Sequence, residues 1–155
     1  DLALTPLVLI AMNGVYAAAA YPCGALADRV RHGRLLAWGL AVLIAADILL
    51  ASAGKPLQVF IGTALWGLHM GLTQGLFSKL VADHSPVQWR GTAFGVFNLI
   101  TGGALLTASA VAGVLWSTVG AQATFITGAA FTALALIGLL LFSSDETASA
   151  RKRPS

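Results

Sequence analysis

Asp28 is the acidic residue whose neighbours suggest the clearest chemistry. It lies in the segment GALADRVRHGR, residues 24–34, directly before Arg29 and close to Arg31 and Arg34. A carboxylate in this setting can pair with an arginine or accept hydrogen bonds from the N-terminus of a helix. The segment is therefore interpreted either as a short basic turn or as a structured ionic contact.

Four further polar side chains stand within long apolar stretches and are candidates for contact with a small molecule: Asn13, His69, Thr73 and Asn98. The imidazole of His69 titrates near neutral pH, so it can bind a substrate or carry a proton. The alternative is a neutral histidine that is hydrogen-bonded to a neighbouring helix. For each asparagine, a cavity-lining amide and an interhelix hydrogen bond both fit the sequence.

Catalytic chemistry has little support. His69 could pair with Ser78 or Ser109 as in a serine hydrolase, but no Gly-x-Ser-x-Gly turn is present and no acid is placed to orient the histidine. His32, His69 and His84 lack the spacing of metal ligands, and no GxxxxGK[ST] loop is present. We expect no enzymatic activity, no metal and no cofactor.

The composition shows where these residues must lie. Of the 155 residues, 57% are hydrophobic and 10% are charged, whereas a soluble domain carries roughly 25% charged residues. Residues 2–27, 56–78 and 91–144 contain no charged side chain. A soluble fold of this size has too little interior to bury such runs. The sequence therefore predicts an integral membrane protein and excludes nucleic acid as a partner.

Five segments are long and apolar enough to cross a bilayer, which takes about 20 residues per helix. They are residues 5–27, 35–53, 56–81, 91–116 and 121–142. The last two are separated at residues 117–122, where polar residues and a glycine cluster. We expect a transmembrane region over residues 1–143 and a disordered cytoplasmic tail over residues 144–155.

The basic residues predict the orientation. Eight of the nine lysines and arginines follow the first, third and fifth segments, and only Lys55 lies on the opposite side. Basic loops are held in the cytoplasm, so the C-terminus is expected inside and Asp1 outside. The chain begins with Asp1 at the edge of a span and has an odd number of spans, which favours a fragment of a longer protein.

Two loops resemble those of the major facilitator superfamily. Residues 24–34 are similar to the signature loop that follows the second and eighth helices, although Arg31 stands where a glycine is usual and Gly33 is displaced. Residues 81–99, VADHSPVQWRGTAFGVFNL, look like the connection between the tenth and eleventh helices, with Arg90 and Gly91 opening the next helix. The resemblance makes the five segments helices eight to twelve of a twelve-helix transporter.

The resemblance implies an all-α membrane fold of two six-helix halves, with this chain forming most of the second half. It also implies that Asp28 helps to close the cytoplasmic rim by meeting a helix of the other half, with Arg29 and Arg34 holding the loop. The gating residues on this interpretation are Gly24, Asp28, Arg29, Arg34, Arg90 and Gly91. Helices eight, ten and eleven are implied to face the cavity, and helices nine and twelve the lipid.

Glycine spacing predicts where helices approach each other. Gly67, Gly71 and Gly75 form a bare stripe on the third segment, with Gln74 beside it. His69 and Thr73 fall on other faces of that helix and are expected to point into the cavity.

In the fourth segment the same argument gives a packing surface at Gly95 and Gly102, with Asn98 between them. Asp47, in the second segment, departs from the lipid-facing pattern. We interpret it as a protonated or interface-reaching carboxyl group rather than a proton carrier, although a buried carboxylate in a membrane is a functional candidate.

The predicted function is secondary transport of a small solute by alternating access, with proton-coupled efflux preferred. The alternatives are a proton-coupled uptake symporter of the same fold and a helical adaptor subunit that does not transport. The expected partners are the lipid bilayer, the N-terminal half of the same transporter and the solute. The expected location is the plasma membrane, and an ion gradient, of protons, is the expected energy source.

Overall fold

The computed structural model describes residues 4–151, and their side chains through residue 141. These residues form five α-helices and no strand: α1 Thr5–Ala27, α2 His32–Ala51, α3 Pro56–Asp83, α4 Arg90–Thr118 and α5 Ala121–Arg151. A 3-10 turn, Val87–Trp89, precedes α4. The five predicted segments are confirmed as helices; their ends differ by at most three residues except in α5, which ends nine residues later than predicted.

Helix ends follow from local sequence. Pro56 opens α3, where its missing N–H costs nothing. The side chain of Gln58 accepts hydrogen bonds from the backbone N–H groups of Gly54 and Lys55, at 2.8 and 3.1 Å. Gly120 separates α4 from α5 with a φ of 112°, a left-handed conformation that glycine adopts without steric cost. The predicted division of the long apolar run is therefore confirmed.

The end of the chain corrects a prediction. Helix α5 continues to Arg151 and so includes residues 144–151 of the segment that the sequence predicted to be disordered. Residues 143–151 contain neither glycine nor proline and include good helix formers, so nothing in this stretch ends the helix. The remaining residues of the predicted tail, 152–155, lie outside the described part of the chain.

Four helical segments of the described chain are long and apolar enough to cross a membrane: Thr5–Ala27, His32–Ala51, Val87–Thr118 and Ala121–Leu141. Helix α3 is 28 residues long but less apolar, because it carries glycines and polar side chains along its length. It is also the central helix, since it packs against both α1 and α2. Its polar side chains His69 and Thr73 therefore meet protein, which is the arrangement that a bilayer favours.

The helices pack in the order α1–α3–α2–α5, with α4 touching α3 and α5 more lightly. A buried cluster joins α1, α2 and α3. It lies near the end of the bundle where Asp28, His32 and Asp83 lie. We call this end the basic end, because most of the lysines and arginines lie on this side. The members of the cluster are Ala19, Cys23, Ala27, Leu35, Leu72 and Leu76. Small residues on α1 allow α3 to come close in this cluster.

Candidate functional site

Helices α1 and α3 are in direct backbone contact at two glycines. A Cβ atom at Gly67 would overlap the carbonyl oxygen of Met12, and one at Gly71 would lie 2.9 Å from the Cβ of Ala19. Both positions belong to the glycine stripe predicted from the sequence. Gly75 does not belong to this contact, because no atom of the described chain lies within 4 Å of the position its Cβ would take.

A polar contact accompanies this packing. The hydroxyl group of Tyr16 on α1 donates a hydrogen bond to the Oε1 atom of Gln74 on α3, at 3.1 Å. Gln74, which the sequence placed beside the glycine stripe, thus bonds across that contact. An interhelix hydrogen bond of this kind fixes the register of two helices that small residues have allowed to approach.

The same two helices are joined at the basic end by an ion pair. The Nζ atom of Lys79, on α3, donates to the Oδ1 atom of Asp28, which directly follows α1. The hydrogen bond from Lys79 and then its positive charge hold the pKa of the Asp28 carboxyl group below its usual value, with a smaller effect from the charge of His32. The side chain of Asp28 is still 69% exposed, so it remains open to a second partner.

The remaining gating residues predicted from the sequence surround this pair without joining it. Arg29 and Arg34 are exposed and form no ion pair within the described chain. Gly24 and Gly91 have no atom within 4 Å of a Cβ position, so neither one marks a close helix approach here. Arg90 is exposed at the first position of α4.

Lys79 is the residue that sequence reasoning missed at this site. Its place in the sequence indicated only a positive charge on one side of the membrane. The available signal was charge complementarity: Lys79 lies near the end of the third segment, on the side where Asp28 ends the first. His32 was missed as well, and its Nε2 atom is buried without a hydrogen-bond partner in the described region.

His69 and Thr73 correct a prediction, because both contact α2 rather than an open cavity. The Nδ1 atom of His69 lies 2.8 Å from the carbonyl oxygen of Gly39, so Nδ1 carries the hydrogen and donates it. Thr73 is 4% exposed, and its Cγ2 atom lies 2.6 Å from the position of a Cβ at Gly39. The hydrogen-bonded alternative for His69 therefore describes this structure. The face assignment failed because α3 packs on two sides.

Helix α4 has no buried residue. Gly95 and Gly102 have nothing within 4 Å of their Cβ positions, so the packing role predicted for them is not seen among the described residues. Asn98 is exposed on this helix. Asn13, on α1, is also exposed, and its amide donates a hydrogen bond within its own helix to the carbonyl oxygen of Leu9, at 2.8 Å.

A groove of about 510 Å³ lies between the end of α3 and the start of α4. Its wall includes His84, Ser85 and Trp89 from the connection and Val96 and Phe97 from α4. Helix α4 also makes two ring contacts with the bundle, Phe77 with Phe97 and Trp116 with Phe125.

Asp47 lies between α2 and α5. It is buried, and its carboxyl group faces Gly128 of α5. The structure therefore places Asp47 at a contact between two helices. Among the described residues, no group of three or more His, Cys, Asp or Glu side chains could hold a metal ion.

Comparison with known proteins agrees with the two loops. The family model of the Major Facilitator Superfamily matches residues 1–155. An uncharacterised MFS-type transporter of Methanocaldococcus jannaschii is 32% identical over 140 residues, which are 89% of this chain and 34% of that protein. The chain therefore spans about a third of the length of this relative. No solved structure matches it significantly. With the family model covering its whole length, the chain belongs to the major facilitator superfamily.

Proposed function

We propose that the protein is a secondary transporter that exports a small solute by alternating access, in exchange for protons, across the plasma membrane. The C-terminus and the basic end lie in the cytoplasm, and the chain works together with a second half that contributes to the cavity. Membership of the family and the likeness to an MFS-type transporter support the transport class. The basic residues support the orientation.

The observation that carries this proposal is the Lys79–Asp28 ion pair at the end of a closely packed α1–α3 unit. Alternating access is largely a rigid-body motion of one bundle against another. A unit that moves as a body needs contacts along its whole length. Gly67, Gly71, the Tyr16–Gln74 hydrogen bond and the ion pair supply contacts from Met12 to the C-terminal end of α1.

The exposed amides fit the same interpretation. Asn13 and Asn98 lie inside apolar helices but are exposed in the described structure. Polar side chains at membrane depth face protein or a water-filled cavity. We therefore infer that these two amides contact the solute or the other half of the transporter.

Transport and its direction can be tested together in liposomes that contain the complete transporter, with this chain and its second half, and a pH-sensitive dye. The interior is made acidic, and ethidium, a sugar or an organic anion is added outside. An exporter that exchanges solute for protons raises the interior pH when its solute enters, whereas a symporter lowers it. A folded protein that transports none of the three solutes and leaves the pH gradient unchanged would contradict the proposal. That result would favour the adaptor alternative.

The role of Asp28 is tested with the responsive solute. Asp28→Asn is expected to lower the transport rate while the solute affinity changes less, because the residue lies at the rim and far from the midplane. Arg31→Gln is the control, since Arg31 is exposed and has no ion pair in the described chain. A normal transport rate for Asp28→Asn would show that residues 24–34 are only a short basic turn with no role in gating.

The charge-reversed double variant Asp28→Lys with Lys79→Asp separates two mechanisms. Recovery of the rate means that the pair itself acts. Continued loss means that Asp28 acts on a helix N-terminus elsewhere, since a lysine there is unfavourable.

A further inference from the structure

Asp47 occupies a contact that none of the proposed transport machinery uses. It lies four residues before the end of α2, is 5% exposed, and is flanked by the buried residues Ala46 and Leu50. On the facing helix, a Cβ at Gly128 would lie 3.0 Å from the Oδ2 atom of Asp47 and 3.6 Å from its Cγ. The absence of a side chain at Gly128 is thus what leaves room for the carboxyl group.

This carboxyl group has no compensating charge in the described structure. No hydrogen bond or ion pair joins Asp47 to another described residue. Among residues 121–141 of α5 there is no titratable side chain. On α3 the nearest is His69, which contacts Gly39, eight residues or about 12 Å along α2 from Asp47. Lys55, in the turn after α2, forms no ion pair in the described chain.

We propose that Asp47 is a proton-binding site between α2 and α5, with Gly128 as the wall that accommodates the neutral carboxyl group. Placing an unpaired carboxylate between two apolar helices is far more costly than placing the neutral acid there. The bound proton therefore keeps the two helices together. Loss of the proton leaves a buried charge that only water or a cation could compensate, and this weakens the contact.

The site is independent of the proposed export function, because it lies on the faces of α2 and α5 that meet each other. Its ligand is the proton alone. It links proton occupancy to the packing of α5 on the rest of the bundle, whether or not the protein moves solute.

Infrared spectroscopy of the protein in liposomes tests the proposal directly. The difference spectrum between the wild type and Asp47→Asn is expected to contain the carbonyl band of one protonated carboxylic acid at pH 7. That band should shift on transfer to D₂O. A difference spectrum that shows a carboxylate in its place would overturn the proposal.

Two glycine variants of α5 form a matched pair, so the test does not depend on a single variant that could fail to fold. Gly128→Ala places a methyl group against the carboxyl group of Asp47 and is expected to shift or remove its carbonyl band. Gly138→Ala, in the same helix with nothing within 4 Å of its Cβ position, should leave the band unchanged. Equal spectra for both variants would contradict the assigned location.

Stability gives a second readout. If the folded protein holds a proton that the unfolded chain releases, the free energy of unfolding decreases as the pH rises above about 4, the usual value for an aspartate. Asp47→Asn cannot ionise, so it should lose this decrease and melt at a higher temperature than the wild type at alkaline pH. A wild type and variant with the same pH dependence would overturn the proposal.

Discussion

The α1–α3 contact and the surface of α4 make different use of the same residue type. Gly67 and Gly71 of α3 bring two backbones together, whereas Gly95 and Gly102 of α4 have nothing within 4 Å. Helix α1 has three buried residues on its packed side, and α4 has none. Glycine spacing therefore indicates where a helix can be approached, and the neighbouring helices decide whether it is.

The largest effect is expected from alanine at Gly67. Its methyl group would overlap the carbonyl oxygen of Met12, which belongs to backbone and cannot rotate away. Overpacking of this kind costs about 1–3 kcal/mol. Thermal unfolding in detergent should show a clear loss for Gly67→Ala.

Gly95→Ala and Gly75→Ala are the controls for that variant, because nothing lies within 4 Å of either Cβ position. Both should change the free energy of unfolding by less than about 0.5 kcal/mol. If Gly95→Ala destabilises the protein as strongly as Gly67→Ala, the contrast between the two regions is wrong, and α4 is packed against another part of the protein.

A smaller effect is expected at the α2–α3 contact. Gly39→Ala would bring a Cβ to 2.6 Å from the Cγ2 atom of Thr73, a side-chain atom that has more freedom than a backbone oxygen. We expect a loss of about 1 kcal/mol, at the low end of overpacking costs.

Rescue by Thr73→Ser sharpens this test. Serine lacks the Cγ2 methyl group but retains the hydroxyl that donates to the carbonyl oxygen of His69, at 2.9 Å. The double variant Gly39→Ala with Thr73→Ser should recover most of the lost melting temperature. If the loss in the double variant equals the sum of the losses in the two single variants, then the Thr73 methyl group does not limit how closely α2 and α3 approach at Gly39.

The smallest effect is expected at the exposed ion pair. Because Lys79 lowers the pKa of Asp28 in the folded state, the pair stabilises the protein above the usual value of 3.8 and is lost as the pH falls through the lowered pKa. Lys79→Gln should return the pKa of Asp28 towards that value, as measured by NMR of ¹³C-labelled aspartate. Arg29→Gln should shift it less, since Arg29 forms no ion pair with Asp28 in the described structure.

Much of the fold was predictable because the relevant signals are local. Apolar length gave the five helices, and the polar cluster around Gly120 marked the turn between α4 and α5. Half of the α1–α3 contact was also predictable, since Gly67, Gly71 and Gln74 share a face of one helix. Gly39 and Gly128 were not singled out, because a single glycine in an apolar run resembles any other until its neighbour is known.

The sequence by itself determined that the chain is helical and suited to a membrane, and the distribution of its basic residues separated the two ends of the bundle. These properties depend on composition and on spacing along one chain. The tertiary structure decided that Lys79 binds Asp28, that His69 and Thr73 face α2, and that Asp47 meets Gly128. Each of these contacts joins residues of different helices, and in an apolar chain many pairings bury similar surfaces. Only the packed arrangement distinguishes among them.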